Sequence, residues 1–285
     1  RRIDAIPFLF ACSYVANTAS LVFPISNLTN LLVYHELELD FAGFARVMWL
    51  PNLAAFAVNL LVLLVIFRKR IPRRFEIAAD AALPTVDWWL IAAAIVLAGT
   101  LVGLFSFGLG GHPLAYAALA GAMLLFAIGV AGKRIQVEAV VRDVSWPVLV
   151  FVVGMLIIVR GLERGWLDHI TINVPSNPNL ALLAGVAGAA IGSNIVNNVP
   201  TALLALPVIA QTSGAAREAL AYGVLVGSNV GPVLTTYGSL ATMLWLTIVR
   251  KRGLTVTTRE YLTISLVSVP PILAAATAAL WLALR

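Results

Sequence analysis

Charge is what this sequence has least of: Lys, Arg, Asp and Glu make up 11% of its 285 residues, where a soluble domain carries about 25%. Together with 61% hydrophobic residues and a mean hydropathy of +0.96, this excludes an ordinary soluble domain and predicts an all-α polytopic membrane protein. Cysteine is almost absent as well. Cys12 stands alone, which excludes an intrachain disulfide and a multi-thiolate metal cage, and it reads as a small buried residue. The net charge of +6 does not indicate nucleic acid. Lys and Arg fall in short clusters between apolar runs, as loops at the inner face of a membrane do.

Almost no Asp, Glu, Lys, Arg or His lies well inside the apolar runs themselves. Hydrolysis inside a membrane needs a Ser with Lys or His, paired Asp residues or a metal set, and the runs supply none of these. The chain is therefore read as a non-enzyme without cofactor or metal. A passive channel is left open by sequence, and saturable, proton-driven flux is what separates it from a carrier.

Runs of membrane-spanning length, about 20 residues for a core of about 30 Å, occupy residues 6–32, 47–67, 86–107, 113–131, 145–159, 180–209, 220–249 and 261–284. Between the first two, "ELDFAGFAR" has the mixed character of an interfacial amphipathic helix. The basic loops "RKRIPRR" (68–74), "GKRIQVEAVVR" (132–142) and "RKR" (250–252) are placed in the cytoplasm. The parity of crossings then closes only if one run does not cross. Residues 180–209, interrupted by "GSNIVNNVP", read as a re-entrant hairpin, since broken polar backbone survives at membrane depth only under protein or beside a water-filled cavity.

Two other runs carry similar interruptions, "NTASLVFPISNLTN" from Asn17 and "NVGPVLTTYGSLAT" from Asn229. By the same parity they cross in opposite directions, each followed by one further span, which predicts an inverted-repeat secondary transporter with discontinuous helices. Residues 1–75 are then the C-terminal part of the first repeat, with its broken helix, interfacial arm and one span. Residues 76–285 are the second, with scaffold spans, hairpin 180–209, broken helix 220–249 and a last span. The opening Arg1-Arg2 and early Ile6 read as the middle of a longer protein, and repeat logic expects about 130 preceding residues with a second hairpin.

The interruptions offer amides and hydroxyls: Asn17, Thr18, Ser20, Ser26, Asn27 and Asn30 in one, Asn229, Thr235, Thr236, Ser239 and Thr242 in the other, and Asn197 and Asn198 at the hairpin tip. Such groups donate and accept hydrogen bonds without charge, which suits a small hydroxylated neutral solute or a cation held by carbonyls. A single Asn or Ser in a span is commonly interhelical glue; three interrupted, Asn-bearing clusters in symmetric places favour a transport site. Gly185, Gly188 and Gly192 read as close-packing positions. His35, His112 and His169 read as solvated, Trp88, Trp89, Trp146 and Trp166 as interfacial belt residues, and Arg160 as ending its run and snorkelling outward.

The stretches "GVLVGSNVGPVLTTYGSLATMLWL" (223–246), "NNVPTALLALP" (197–207) and "ANTASLVFPISNLTNLL" (16–32) resemble the arsenite efflux permease family, within the ion transporter superfamily, with the chain as its latter two thirds. The resemblance implies export of arsenite and antimonite in exchange for protons across the inner membrane, with an optional peripheral arsenite-stimulated ATPase at the cytoplasmic face. It also implies a scaffold domain and a transport domain. The implied substrate-binding residues are Asn17, Thr18, Ser20, Asn197, Asn198, Asn229, Gly231, Pro232 and Thr235, beside Asn27 from the first interruption. The family pattern often has Asp where this chain has Asn17 and Asn229. Amides cannot carry protons, so the coupling group is expected at edge acids such as Asp4, Asp143, Glu163 or Glu218, or upstream. A sodium/proton antiporter would place a carboxylate at the breaks, and a sodium-coupled dicarboxylate carrier a Ser-Asn-Thr tip; these are the rival cargoes on the same scaffold.

Overall fold

The computed structural model describes residues 4–37, 40–72, 87–144, 146–165 and 172–285, and its regular structure there is entirely helical. In order these are α1 (Ile6–Thr18), α2 (Leu28–Glu36), α3 (Phe41–Phe67), α4 (Trp88–Leu109), α5 (Leu114–Ala131), α6 (Val137–Asp143), α7 (Trp146–Gly165), α8 (Pro178–Val196), α9 (Asn198–Gln211), α10 (Gly214–Val230), α11 (Leu240–Lys251) and α12 (Thr258–Ala283). Five of them, α3, α4, α5, α8 and α12, are long and apolar enough to cross a membrane. The chain is a polytopic membrane protein.

Two compact units are present, residues 1–73 with 156–285, and residues 74–155. In the smaller, α4 and α5 pair through small residues: a side chain at Gly103 would touch Ala117, and one at Gly121 would run into Thr100. Arg134 closes this unit with a 2.7 Å ion pair to Asp87, which also caps α4.

The larger unit carries the polar interruptions. Its α8 and α10 approach backbone to backbone, because glycines remove the intervening side chains. A Cβ at Gly185 would stand 2.5 Å from the Leu220 carbonyl oxygen, and one at Gly223 2.5 Å from that of Leu182. Gly188, expected to pack in the same way, faces open space and lines a mostly apolar cavity of about 250 Å³ with Val174, Ala184, Thr201 and Val224.

Contacts between helix ends sort into two groups. Arg70, just after α3, bonds Asp4 before α1 (2.6 Å) and Glu260 in the first turn of α12 (3.4 Å). Separately, Arg217 in the first turn of α10 donates to the Glu36 carbonyl at the end of α2 (3.1 Å), and Trp281 near the end of α12 donates to Asn179 at the start of α8 (2.9 Å).

Two expectations need correction. Residues 41–46 are not a separate interfacial helix: Asp40 caps α3 by accepting from the Gly43 amide, Phe41 and Phe44 are buried, and nothing breaks the helix at Val47. Cys12 is exposed. The buried stripe of α1 runs through Phe10, Ser13, Tyr14 and Asn17, and position 12 falls on the opposite face at 100° per residue. The apolar run does end before Arg160, and the helix that carries it continues to Gly165. Trp166 and His169 lie outside the described residues.

Candidate functional site

The first interruption begins where α1 stops at Thr18. Serine and threonine compete there with the helix's own backbone bonding: Thr18 Oγ1 donates back to the Tyr14 carbonyl (2.9 Å) and Ser20 Oγ to that of Asn17 (2.7 Å). The chain then runs extended through a 3₁₀ turn at Pro24–Ser26, and Asn27 caps α2 by accepting from the Thr29 amide. Freed backbone groups at membrane depth need partners. Asn30 Nδ2 supplies them to the carbonyls of Ser20 (2.8 Å) and Phe23 (3.0 Å), and Asn52 Oδ1 accepts from the Leu21 amide (3.0 Å).

The second interruption follows the same register. With Asn17 set on Asn229 without gaps, the last residue of α1, Thr18, falls on the last of α10, Val230, and the first of α2, Leu28, on the first of α11, Leu240. The caps coincide too, Asn27 with Ser239, whose Oγ accepts from the Thr242 amide. The two interruptions also bond reciprocally. Asn229 Nδ2 donates to Asn30 Oδ1 (2.9 Å), and Asn17 Nδ2 reaches Thr242 Oγ1, the position matching Asn30, at 3.5 Å.

Asn229 is the hub of this crossing. Its Oδ1 accepts from Asn27 (2.7 Å) and Ser20 (3.3 Å), and its Nδ2 also reaches Thr29 and the Leu225 carbonyl. Asn197 joins α8 to α9 at φ 82° and ψ 157°, an extended positive-φ conformation that residues with a side chain rarely adopt. This junction is tied to the second interruption: the Asn198 amide donates to the Gly238 carbonyl (2.9 Å), Asn197 Nδ2 to that of Tyr237 (2.8 Å) and Asn194 Nδ2 to that of Gly231 (2.8 Å), while Thr235 Oγ1 donates to Asn194 Oδ1 (2.8 Å). Gly231, beside Pro232, lets this stretch lie against α8, since a Cβ there would stand 2.5 Å from the Ala190 Cα.

Every residue expected at the site thus lies in the larger unit, on one of these interruptions or at the α8–α9 junction. Asn17, Thr18, Ser20, Asn197, Asn198, Asn229, Gly231 and Pro232 are buried, and Asn27 and Thr235 half-buried. Beside the hydroxyls of Tyr14, Tyr222 and Tyr261, the buried polar residues described are Asn, Ser or Thr, with no charged side chain among them. Some acceptors have no protein partner, notably Asn17 Oδ1, Asn59 Oδ1 and Asn198 Oδ1. Asn52, Asn59 and Asn194 were not expected at the site. Asn59 Nδ2 donates to Thr18 Oγ1 (2.9 Å), and the seven-residue spacing of Asn52 and Asn59 on one face of an apolar helix was the available signal. Of the edge acids, Asp4 is held below its ordinary pKa chiefly by its hydrogen bond from Arg70, so it stays ionised at neutral pH. Glu218 is exposed, and Asp143 and Glu163 stand on α6 and α7.

Residues 3–284 match the profile of the family described as arsenical pump membrane protein. The arsenical pump membrane protein of Escherichia coli K12 is 32% identical over 98% of this chain and 67% of its own length, and that of Yersinia enterocolitica is equally similar over the same shares. An uncharacterized transporter of Synechocystis is 25% identical over 73% of this chain and 49% of its own length. No solved structure gives a significant match. Coverage of nearly the whole chain, at this identity, decides the matter: the chain belongs to the arsenical pump membrane protein family.

Proposed function

We propose that this chain forms the greater part of an inner-membrane carrier that exports arsenite and antimonite as neutral trivalent hydroxides, in exchange for protons, by alternating access. The reciprocal pairing of the two interruptions carries the reading: Asn229 to Asn30, and Asn17 to Thr242, at matching positions. Such pairing is what two inverted repeats meeting near the midplane would produce. The division at residues 75 and 76 follows the same logic.

The end contacts support a re-entrant α8–α9 hairpin. Asp4, Arg70 and Glu260 gather the starts of α1 and α12 with the end of α3, the end that carries Arg68, Lys69 and Arg70 and faces the cytoplasm in this reading. The starts of α8 and α10 instead meet the ends of α12 and α2. A chain that enters at α8 and re-emerges before α10 on that same side has gone in and come back.

Arsenous acid is uncharged near neutral pH, and its three hydroxyls match a site of amides and hydroxyls that desolvates no ion. Asn17, Thr18, Ser20, Asn27, Asn197, Asn198, Asn229, Gly231, Pro232 and Thr235 form this site, with Asn17 Oδ1 and Asn198 Oδ1 free to accept from the cargo. Protons then travel through groups other than these amides, and a peripheral arsenite-stimulated ATPase would dock at the basic cytoplasmic face. The test is growth of cells stripped of their own arsenite exporters. The full-length protein should restore growth on arsenite and antimonite, and Asn198→Ala should lose at least tenfold in tolerated concentration at equal protein level. Wild-type protein that restores neither refutes the cargo.

A further inference from the structure

The buried polarity of the larger unit does not stop at the interruptions. Six side chains from three helices meet beside Asn17: Ser13, Tyr14 and Asn17 itself from α1, Thr242 from α11, and Tyr261 and Ser265 from α12, each at most 2% exposed. Tyr14 and Ser265 share a 2.7 Å hydrogen bond. The Tyr261 hydroxyl lies beside those of Ser13, Thr242 and Ser265, yet it makes no well-formed hydrogen bond, and neither do Ser13 Oγ and Asn17 Oδ1. Leaving one such buried group unpaired costs about 1–3 kcal/mol. Three in one cluster call for a purpose.

The scaffold does not require them. In the register that sets Asn17 on Asn229, Ser13 falls on Leu225 and Tyr14 on Val226, both apolar and 0% exposed, while Tyr261 and Ser265 fall on Trp49 and Leu53. Ser13 and Tyr14 thus hold oxygen where the buried matching positions hold hydrocarbon, Tyr261 and Ser265 match the exposed Trp49 and Leu53, and Asn17 and Thr242 match the polar Asn229 and Asn30. Its place is also specific: Tyr261 follows Glu260, which is bonded to Arg70 at the basic end of the unit, so the cluster stands between the interruptions and the face from which exported cargo arrives.

We propose that Ser13 and Tyr261, sharing Asn17 Oδ1 with the adjoining site at the crossed interruptions, form an inner binding station for a small neutral hydroxylated solute arriving from the cytoplasm. The inference rests on the function proposed above. Two donor hydroxyls and one amide acceptor complement a trihydroxide, and no charged side chain is buried there to demand an ion.

Removal of a hydroxyl that makes no well-formed hydrogen bond separates this role from a structural one, since no such bond within the protein is broken. Tyr261→Phe and Ser13→Ala, each in the full-length protein, should leave the thermal midpoint unchanged or raised. Each should raise the half-saturating arsenite concentration about tenfold in everted vesicles, where the cytoplasmic face meets the medium, with the maximal rate little changed. In right-side-out vesicles, loaded from the opposite face, half-saturation should stay as in wild type. Equal half-saturation for wild type and both variants at the cytoplasmic face would overturn the station while leaving the exporter intact. Wild-type vesicles that accumulate no arsenite would instead refute the function itself, and the station with it.

Discussion

Asn229 and Asn198 occupy equivalent places in a sequence reading and quite different ones in the fold. Asn229 uses both ends of its amide within the protein, joining Asn27, Ser20, Thr29 and Asn30, so Asn229→Ala strands several buried partners at about 1–3 kcal/mol each. It should lower the thermal midpoint by several degrees and reduce the level of folded protein, with transport falling in step. Asn198 has an idle Oδ1, and Asn198→Ala should keep the midpoint near wild type while raising half-saturation. Thermal unfolding in detergent beside vesicle transport checks both, and a destabilised Asn198→Ala with a robust Asn229→Ala would reverse the assignment. At this scale the sequence was readable for residue type and cluster but not for state of bonding. Whether an amide is spent or idle depends on partners some 200 positions away. Asn52 and Asn59 left only their seven-residue spacing as a local trace, since their targets, Leu21 and Thr18, lie across the fold.

Among elements, the α8–α10 pair and the Asp4–Arg70–Glu260 cluster carry separate expectations. Gly223→Ala pushes a methyl into the Leu182 carbonyl, a backbone atom that cannot swing aside, and should cost about 1–3 kcal/mol. Gly188→Ala enters open space on the same pair of helices and should be neutral or gain up to about 1 kcal/mol from helix propensity. Thermal midpoints of the two variants decide this, and equal losses would contradict the close approach. The ion-pair cluster sets a pH dependence. Asp4 titrates below its ordinary value of 3.8, so its contribution to stability is fully present above that value and is lost as pH falls through the lower, folded pKa. The midpoint difference between wild type and Asp4→Asn should hold steady from neutral pH to about pH 5 and vanish in stronger acid; a difference independent of pH throughout would contradict it. Helix existence was legible here from apolar runs and basic loops. The boundary at residue 46 was not, because the mixed polarity of residues 38–46 fits a surface helix as well as the first turns of a long one. Burial of Phe41 and Phe44 chooses the latter.

For the molecule as a whole, scarce charge and long apolar runs announced a membrane protein, and the motifs around Asn17, Asn197 and Asn229 pointed to its family before any coordinates. What sequence could not supply is how the interruptions meet, since the partner of Asn17 is Thr242 and the partner of Asn229 is Asn30, pairs no local pattern connects. The central claim is that these crossed interruptions move an uncharged arsenic hydroxide against a proton gradient. It is tested most directly by arsenite accumulation in everted vesicles carrying the full-length protein, with the gradient imposed and then collapsed. Saturable accumulation that requires the gradient and is lost in Asn198→Ala is the predicted result. Vesicles that exclude arsenite under both conditions, yet carry sodium or a dicarboxylate, would contradict it.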